Sequence, residues 1–169
     1  MRQENLSHFH PTLEEMFGFV MLRISKLTDY ATVLLAALAQ RNEPCVPASK
    51  LAEETRLELP TAAKVLKTLA KSGLVRSVRG VNGGYQLVHL PSETSVASIV
   101  RAMEGPIALT ECSLEPGLCA HESQCNLRGN WQRIGLAVEH ALDELTLQDL
   151  YQPVEKEPAL VPAATFKIM

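Results

Sequence analysis

The sequence predicts a mainly α fold with one small β-hairpin and a long helix near the C-terminus. Three observations predict it. Apolar residues recur at helical spacing in successive separated stretches, and a glycine-rich turn, "GVNGG", lies between two short runs of β-formers. Further on, Leu127, Trp131, Ile134, Val138, Ala141 and Leu145 recur in alternating steps of four and three. At 169 residues, 46% hydrophobic but only 5% aromatic, the chain is long enough to bury one aliphatic core.

The elements follow in order. Ser25 or Thr28 can cap a first helix whose apolar positions are Leu27, Tyr30, Leu34, Leu35 and Leu38. It stops before "NEPCVP", where two prolines break the pattern. A short second helix, "ASKLAEET", buries Leu51 and Ala52. After a turn through Leu57 and Glu58, a third helix, "PTAAKVLKTLAKSG", starts with Pro60 in its first turn and ends at Gly73. The hairpin "LVRSVRGVNGGYQLVHL" comes next, then a helix from Val96 to Glu104 with Val96, Ile99, Val100 and Met103 on one side.

Helix, short helix, turn, helix and hairpin in that order describe a winged helix-turn-helix. Its third helix enters the DNA major groove and its hairpin lies along the backbone as a wing. Charge agrees with that placement. Residues 21–90 hold ten Lys or Arg against five Asp or Glu, whereas residues 91–169 hold five against eleven. A polyanion partner therefore belongs to the first half, although the net charge is −3. Pro60, Thr61 and Lys64 fall on the exposed start of the third helix, with Lys67 further along. Lys64 can donate to guanine acceptors and Thr61 can reach a phosphate or a thymine methyl. Arg76 and Arg23 are candidate backbone contacts.

The C-terminal seam, Leu127, Trp131, Ile134, Val138, Ala141 and Leu145, has a period of 3.5, which favours packing along a neighbouring long helix. Because the preceding module is self-contained, pairing with a second copy is expected. Such a homodimer reads a pseudo-palindromic site on double-stranded DNA. The expected divisions are an N-terminal extension over 1–20, the DNA-binding module over 21–91, a linker helix and cysteine loop over 92–125, the dimerisation helix over 126–150 and a disordered tail over 151–169.

Between the last two helices lies "LTECSLEPGLCAHESQCNLRG", with Cys112, Cys119 and Cys125 spaced C-x6-C-x5-C. The first twenty residues lack the pattern of a secretory signal, and no apolar run approaches membrane-spanning length. The protein is therefore expected in the cytoplasm, away from membranes. Thiols stay reduced there, so metal or redox chemistry is favoured over a disulfide framework. The gaps are wide for a zinc knuckle and suit an iron–sulfur cluster, 2Fe-2S or 4Fe-4S, whose irons want separately placed thiolates. A zinc site of the three cysteines with His121, and three unligated thiols, are the other readings. No catalytic constellation is present: "VNGGY" lacks the helix that follows a phosphate-binding loop, and His89 and His140 are isolated. Neither an enzyme nor a small-molecule substrate is expected.

"RISKLTDYA", "KSGLVRSVRGVNGGYQL" and the cysteine triplet together resemble the IscR/NsrR-type (Rrf-two) transcription regulators, over roughly residues 21 to 150. The resemblance implies a dimeric winged-helix regulator whose promoter binding follows the state of an iron–sulfur cluster. The likeness extends to regulators of the SUF iron–sulfur assembly operon. It matches Arg79, beside Gly80, to a family arginine that enters the minor groove. Two departures stand out. The first cysteine gap is six rather than five, and the IscR-like histidine position is taken by Arg128, which cannot be a ligand. The resemblance implies Asp29 as the fourth ligand, reaching the cluster of the other subunit, with His121 as the second candidate. Met21 falls at the family's usual start, so residues 1–20 are either an upstream extension or a misassigned start.

Overall fold

The computed structural model describes residues 24–152, except residues 42, 44, 81, 82, 116, 122 and 123. Arg23, most of the 151–169 tail and the 1–20 extension lie outside the described residues.

The first helix, α1, spans Lys26–Ala39. Ser25 caps it, its hydroxyl accepting the Thr28 backbone N–H at 3.3 Å, and Asp29 lies in the first turn where its charge complements the helix dipole. Helix α2 is Ala48–Thr55 and α3 is Leu59–Lys71, with a proline at the start of α3 where its missing N–H costs nothing. Strands β1 (Val75–Val78) and β2 (Gly84–Leu87) pair antiparallel, with Val75 opposite Leu87 and Val78 opposite Gly84. Val46, from the α1–α2 connection, adds a bridge to β2 by exchanging backbone hydrogen bonds with Tyr85 at 2.8 and 2.9 Å. The wing is thereby anchored to the helical body.

Leu34, Leu35 and Leu38 of α1, Leu51 of α2, and Val65, Leu66 and Leu69 of α3 form the core with Val75. A 3₁₀ turn, Pro91–Glu93, leads into α4, Val96–Glu104, capped by Ser95, whose hydroxyl accepts the Ser98 N–H at 3.1 Å. Ile99 of α4 completes the core from the other side. The cysteine segment opens with a single helical turn, α5, Glu111–Leu114, so Cys112 lies on a helix rather than in a loop.

Helix α6 spans Arg128–Asp143 and packs against α4 and α5. Only Gly135 of its sixteen residues is buried. The helix is shorter than the 126–150 the periodicity predicts. Thr146 breaks it by starting α7, Leu147–Tyr151, in a reciprocal cap: its hydroxyl receives the Asp149 N–H at 3.3 Å while Asp149 accepts the Thr146 N–H at 2.8 Å. Leu145 therefore leaves the predicted seam, and Leu147 turns back into the core with no exposure at all. Tyr151, assigned from sequence to the tail, packs against that core as well.

Candidate nucleic-acid interface and thiol segment

The sequence of α3 sorts its side chains cleanly. Ala62, Val65, Leu66 and Leu69 are buried, and Pro60, Lys64, Lys67 and Lys71 are exposed, with Thr61 half-buried between the two sets. Steps of three and four put the lysines on the face opposite the core. That face carries no carboxylate from within the helix, so three ammonium groups stand in water as one cationic strip. Arg76 on β1 and Arg79 just beyond it are exposed too, on the adjacent hairpin. Gly80, at φ 115°, takes the turn conformation that favours glycine and lets the hairpin reverse directly after Arg79. Pro60, Thr61, Lys64, Lys67, Arg76 and Arg79 therefore belong to one contiguous run of helix and wing.

The thiol segment begins where α4 ends. All four cysteines are free: Cys112 is buried, and Cys119, Cys125 and the distant Cys45 are half-buried. The Cys112 Sγ lies 3.3 Å from the Thr110 hydroxyl. His121 is exposed. Among the described residues no three His, Cys, Asp or Glu side chains converge on a point where they could hold a metal. The donor chemistry still suits an iron–sulfur group, because three soft thiols without disulfide partners lie within fourteen residues, the first of them on the helical turn Glu111–Leu114. To hold one ligand together the three thiols would have to be brought closer, and ligand binding would then be coupled to local folding.

Asp29 is exposed at the start of α1 and lines a shallow cleft with Ile24, Lys26, Thr28, Thr32, Val100 and Leu150. An adjoining cleft, sharing Ile24 and Val100, runs along Glu104 to Leu109 and is walled by Val138 and Leu142 of α6. The start of α1 and the approach to the cysteines thus open onto neighbouring hollows. Leu127, at the N-terminal cap of α6, and Trp131, Ile134 and Ala141 on that helix are exposed, and Val138 is half-buried. Leu136, at 65% the most exposed of its large apolar residues, was not in the predicted seam because it lies two residues off the 3.5 repeat.

A clasp that the sequence reading missed holds α6 to α4. Arg101 pairs with Glu139 at 2.5 Å and with Asp143 at 3.2 Å, and Ser95 donates to Asp143 at 2.8 Å. These hydrogen bonds and the arginine charge hold the Asp143 carboxyl below its ordinary range. An (i, i+4) pair of acids, Glu139 and Asp143, was the available signal.

A three-helix module with a two-stranded wing and a cationic third helix defines a winged helix-turn-helix protein. The comparisons with known proteins carry the identification one step further. Residues 24–153 match the family model Rrf2, described as an iron-dependent transcriptional regulator, and the chain belongs to that family. It is 29% identical to the transcriptional regulator NsrR of Shouchella clausii over 76% of this chain and 88% of that one. It is likewise 29% identical to the regulator IscR of Aliivibrio salmonicida, over 76% of this chain and 77% of that one. Among solved structures it resembles CymR, the global cysteine regulator of B. subtilis, with a TM-score of 0.60 and 31% identity over 76% of this chain and 95% of the other. T. potens IscR superposes with a TM-score of 0.57 at 29% identity, over 81% and 93%. The chain is a transcriptional regulator of this family, not an enzyme. Among the described residues no helix is long and apolar enough to cross a membrane.

Proposed function

We propose that this chain is a cytoplasmic, homodimeric regulator that binds a pseudo-palindromic duplex and changes its grip according to an iron–sulfur cluster. The observation that carries the reading is the coexistence of an exposed cationic α3 with three free thiols on the segment following α4. Lys64 donates to base edges and Thr61 and Pro60 pack at the groove floor. Lys67, Arg76 and Arg23 hold phosphates, and Arg79 enters the minor groove. Cys112, Cys119 and Cys125 would hold the cluster with Asp29 of the partner subunit, His121 being the alternative fourth donor. When bound, the cluster supplies a redox- and iron-sensitive crosslink.

The remaining work falls to the chain's own residues. The cysteine segment leaves α4 directly after Glu104, whose carboxylate accepts hydrogen bonds from Ser25 and Thr28 at the start of α1. Closing or releasing that segment shifts the end of α4, and Glu104 passes the shift to the first helix of the reading head. Coupling of this kind is worth about 1–3 kcal/mol, or roughly 5- to 150-fold in affinity. The likeness to SUF regulators makes iron–sulfur assembly genes the natural target.

The test is anaerobic. Protein purified without oxygen should be coloured and contain iron and sulfide, and holo, apo and Cys112→Ala forms should differ in affinity for a duplex selected by the wild-type chain. Colourless, iron-free protein that binds as tightly as the others would leave a plain regulator with three idle thiols. Asp29→Ala should shorten cluster lifetime without changing the oligomeric state, and an unchanged lifetime would move the fourth-ligand role to His121.

A further inference from the structure

Arg56 closes α2 at φ 55° and ψ 32°, and it is the only non-glycine residue with a positive φ among those described. This left-handed conformation is free of steric cost only for glycine, because a Cβ crowds the following carbonyl. A long charged side chain in such a turn calls for a reason, and the chain's interior offers none. Arg56 is exposed, and among the described residues its guanidinium makes no hydrogen bond or ion pair. Of the acids on α2, Glu54 is engaged by Arg41 rather than by Arg56. The neighbouring exposed carboxylates of Glu53 and Glu58 leave Arg56 unpaired.

Its place in the fold supplies the reason. Arg56 sits three residues before Leu59, at the N-terminal end of α3, the end that carries Pro60, Thr61 and Lys64. In a helix-turn-helix this end of the recognition helix approaches DNA, and the phosphates bordering the groove come within reach of the preceding turn. A guanidinium is permanently charged and offers forked donors that match a phosphate. We infer that Arg56 is a DNA-phosphate contact, retained in a strained turn because its charge is needed on the bound duplex. This inference rests on the DNA reading above and adds to it a residue whose effects on stability and on binding have opposite signs.

The experiment uses the full chain and a duplex carrying the site that the wild-type protein selects from a random pool. Arg56→Gly should raise the thermal midpoint, at fixed protein concentration, by about 3 °C, because the strain is relieved. The same variant should bind about tenfold more weakly, equally across sequences, and the slope of log affinity against log salt should shrink by about one. Arg56→Lys, which keeps the charge, should recover most of the affinity without the gain in midpoint. Arg56→Gly with unchanged affinity and salt slope, beside a Lys64→Ala variant that binds poorly, would overturn the inference and leave the DNA reading intact. Loss of affinity accompanied by a lower midpoint would overturn the strain argument. A wild-type chain that selects no sequence and binds no duplex would overturn both.

Discussion

The carboxylate of Glu104 accepts a hydrogen bond from the Thr28 hydroxyl at 2.6 Å and another from the Ser25 backbone N–H at 2.8 Å. Thr28 is almost fully buried at 1% exposure, so its hydroxyl needs an acceptor, and Glu104 brings one from the far end of α4. The same contact fills the cap of α1, where Ser25 already receives the Thr28 N–H. One side chain therefore fixes the relation between the helix that opens the reading head and the helix that leads into the cysteines.

This pair should show itself as coupling. Replacing Glu104 by Ala leaves the Thr28 hydroxyl with only Ser25 as a polar neighbour and should cost about 1 kcal/mol, while Thr28→Val removes the need for the acceptor. A double-mutant cycle of Glu104→Ala and Thr28→Val, read by denaturant unfolding, should return an interaction energy of roughly 0.5–1 kcal/mol. Additive effects would mean the two side chains act independently.

The pH dependence has a definite sign. The Thr28 hydroxyl first, and the Ser25 N–H second, hold the Glu104 carboxyl below its ordinary value of 4.5. A carboxyl with a depressed folded-state pKa contributes full stability above its unfolded value and loses it as the pH falls through the folded one. The difference in thermal midpoint between wild type and Glu104→Gln should thus be steady from pH 7 down to about 5 and shrink below 4.5. A difference that grows in acid would reverse the assignment.

The wing depends on a close approach that only glycine allows. A Cβ on Gly84 would lie 2.4 Å from the Val46 carbonyl, against backbone that cannot move away without breaking the Val46–Tyr85 bridge. Gly84→Ala should lower stability by about 1–3 kcal/mol and weaken DNA binding through a displaced wing. Circular dichroism melts and duplex titration check both. Intact binding with an unchanged melt would show that the bridge yields.

Much of this fold was legible in the chain because local rules agreed with one another. Ser25 as a cap, Pro60 at the start of α3, Gly73 after it and the bounds Val96–Glu104 all came from capping and spacing. The lysine strip was legible for the same reason, since helical period and burial place it. The break at Thr146 was not. The periodicity through Leu145 pointed to a continuous helix, and the Thr146–Asp149 cap overrode it because Leu147 finds a place in the core. The thiol segment was legible as chemistry but not as geometry: three cysteines are a soft donor set by residue type, while no spacing rule in the sequence says where the chain's own packing leaves each of them, and among the described residues they do not converge. Glu104 was invisible for a related reason, as a contact spanning 76 residues leaves no local pattern.

Leu147 gives that correction an energetic test. Its side chain is fully buried in the shared core, whereas the exposed Leu145 two residues earlier is not. Leu147→Ala should destabilise the protein by about 2–5 kcal/mol, and Leu145→Ala by well under 1 kcal/mol in the isolated subunit. Equal costs, measured by chemical denaturation at low protein concentration, would restore the continuous helix.

The exposed face of α6 carries the last expectation. Leu127 at its cap and Trp131 are 57% and 39% exposed and Ile134 is 46% exposed, in steps of four and three, along a helix that buries only Gly135. An apolar stripe of this period, left in water, is what a second copy would cover. Ile134→Asp places a charge in the middle of that stripe without touching the core of its own subunit. On the proposed dimer, wild type should sediment as a dimer and the variant as a folded monomer at the same concentration, and the variant's affinity for a two-half-site duplex should drop toward that of a single reading head. A variant that remains dimeric would exclude this stripe as the contact between subunits, and Leu136, on a different face of the same helix, would be the next residue to change.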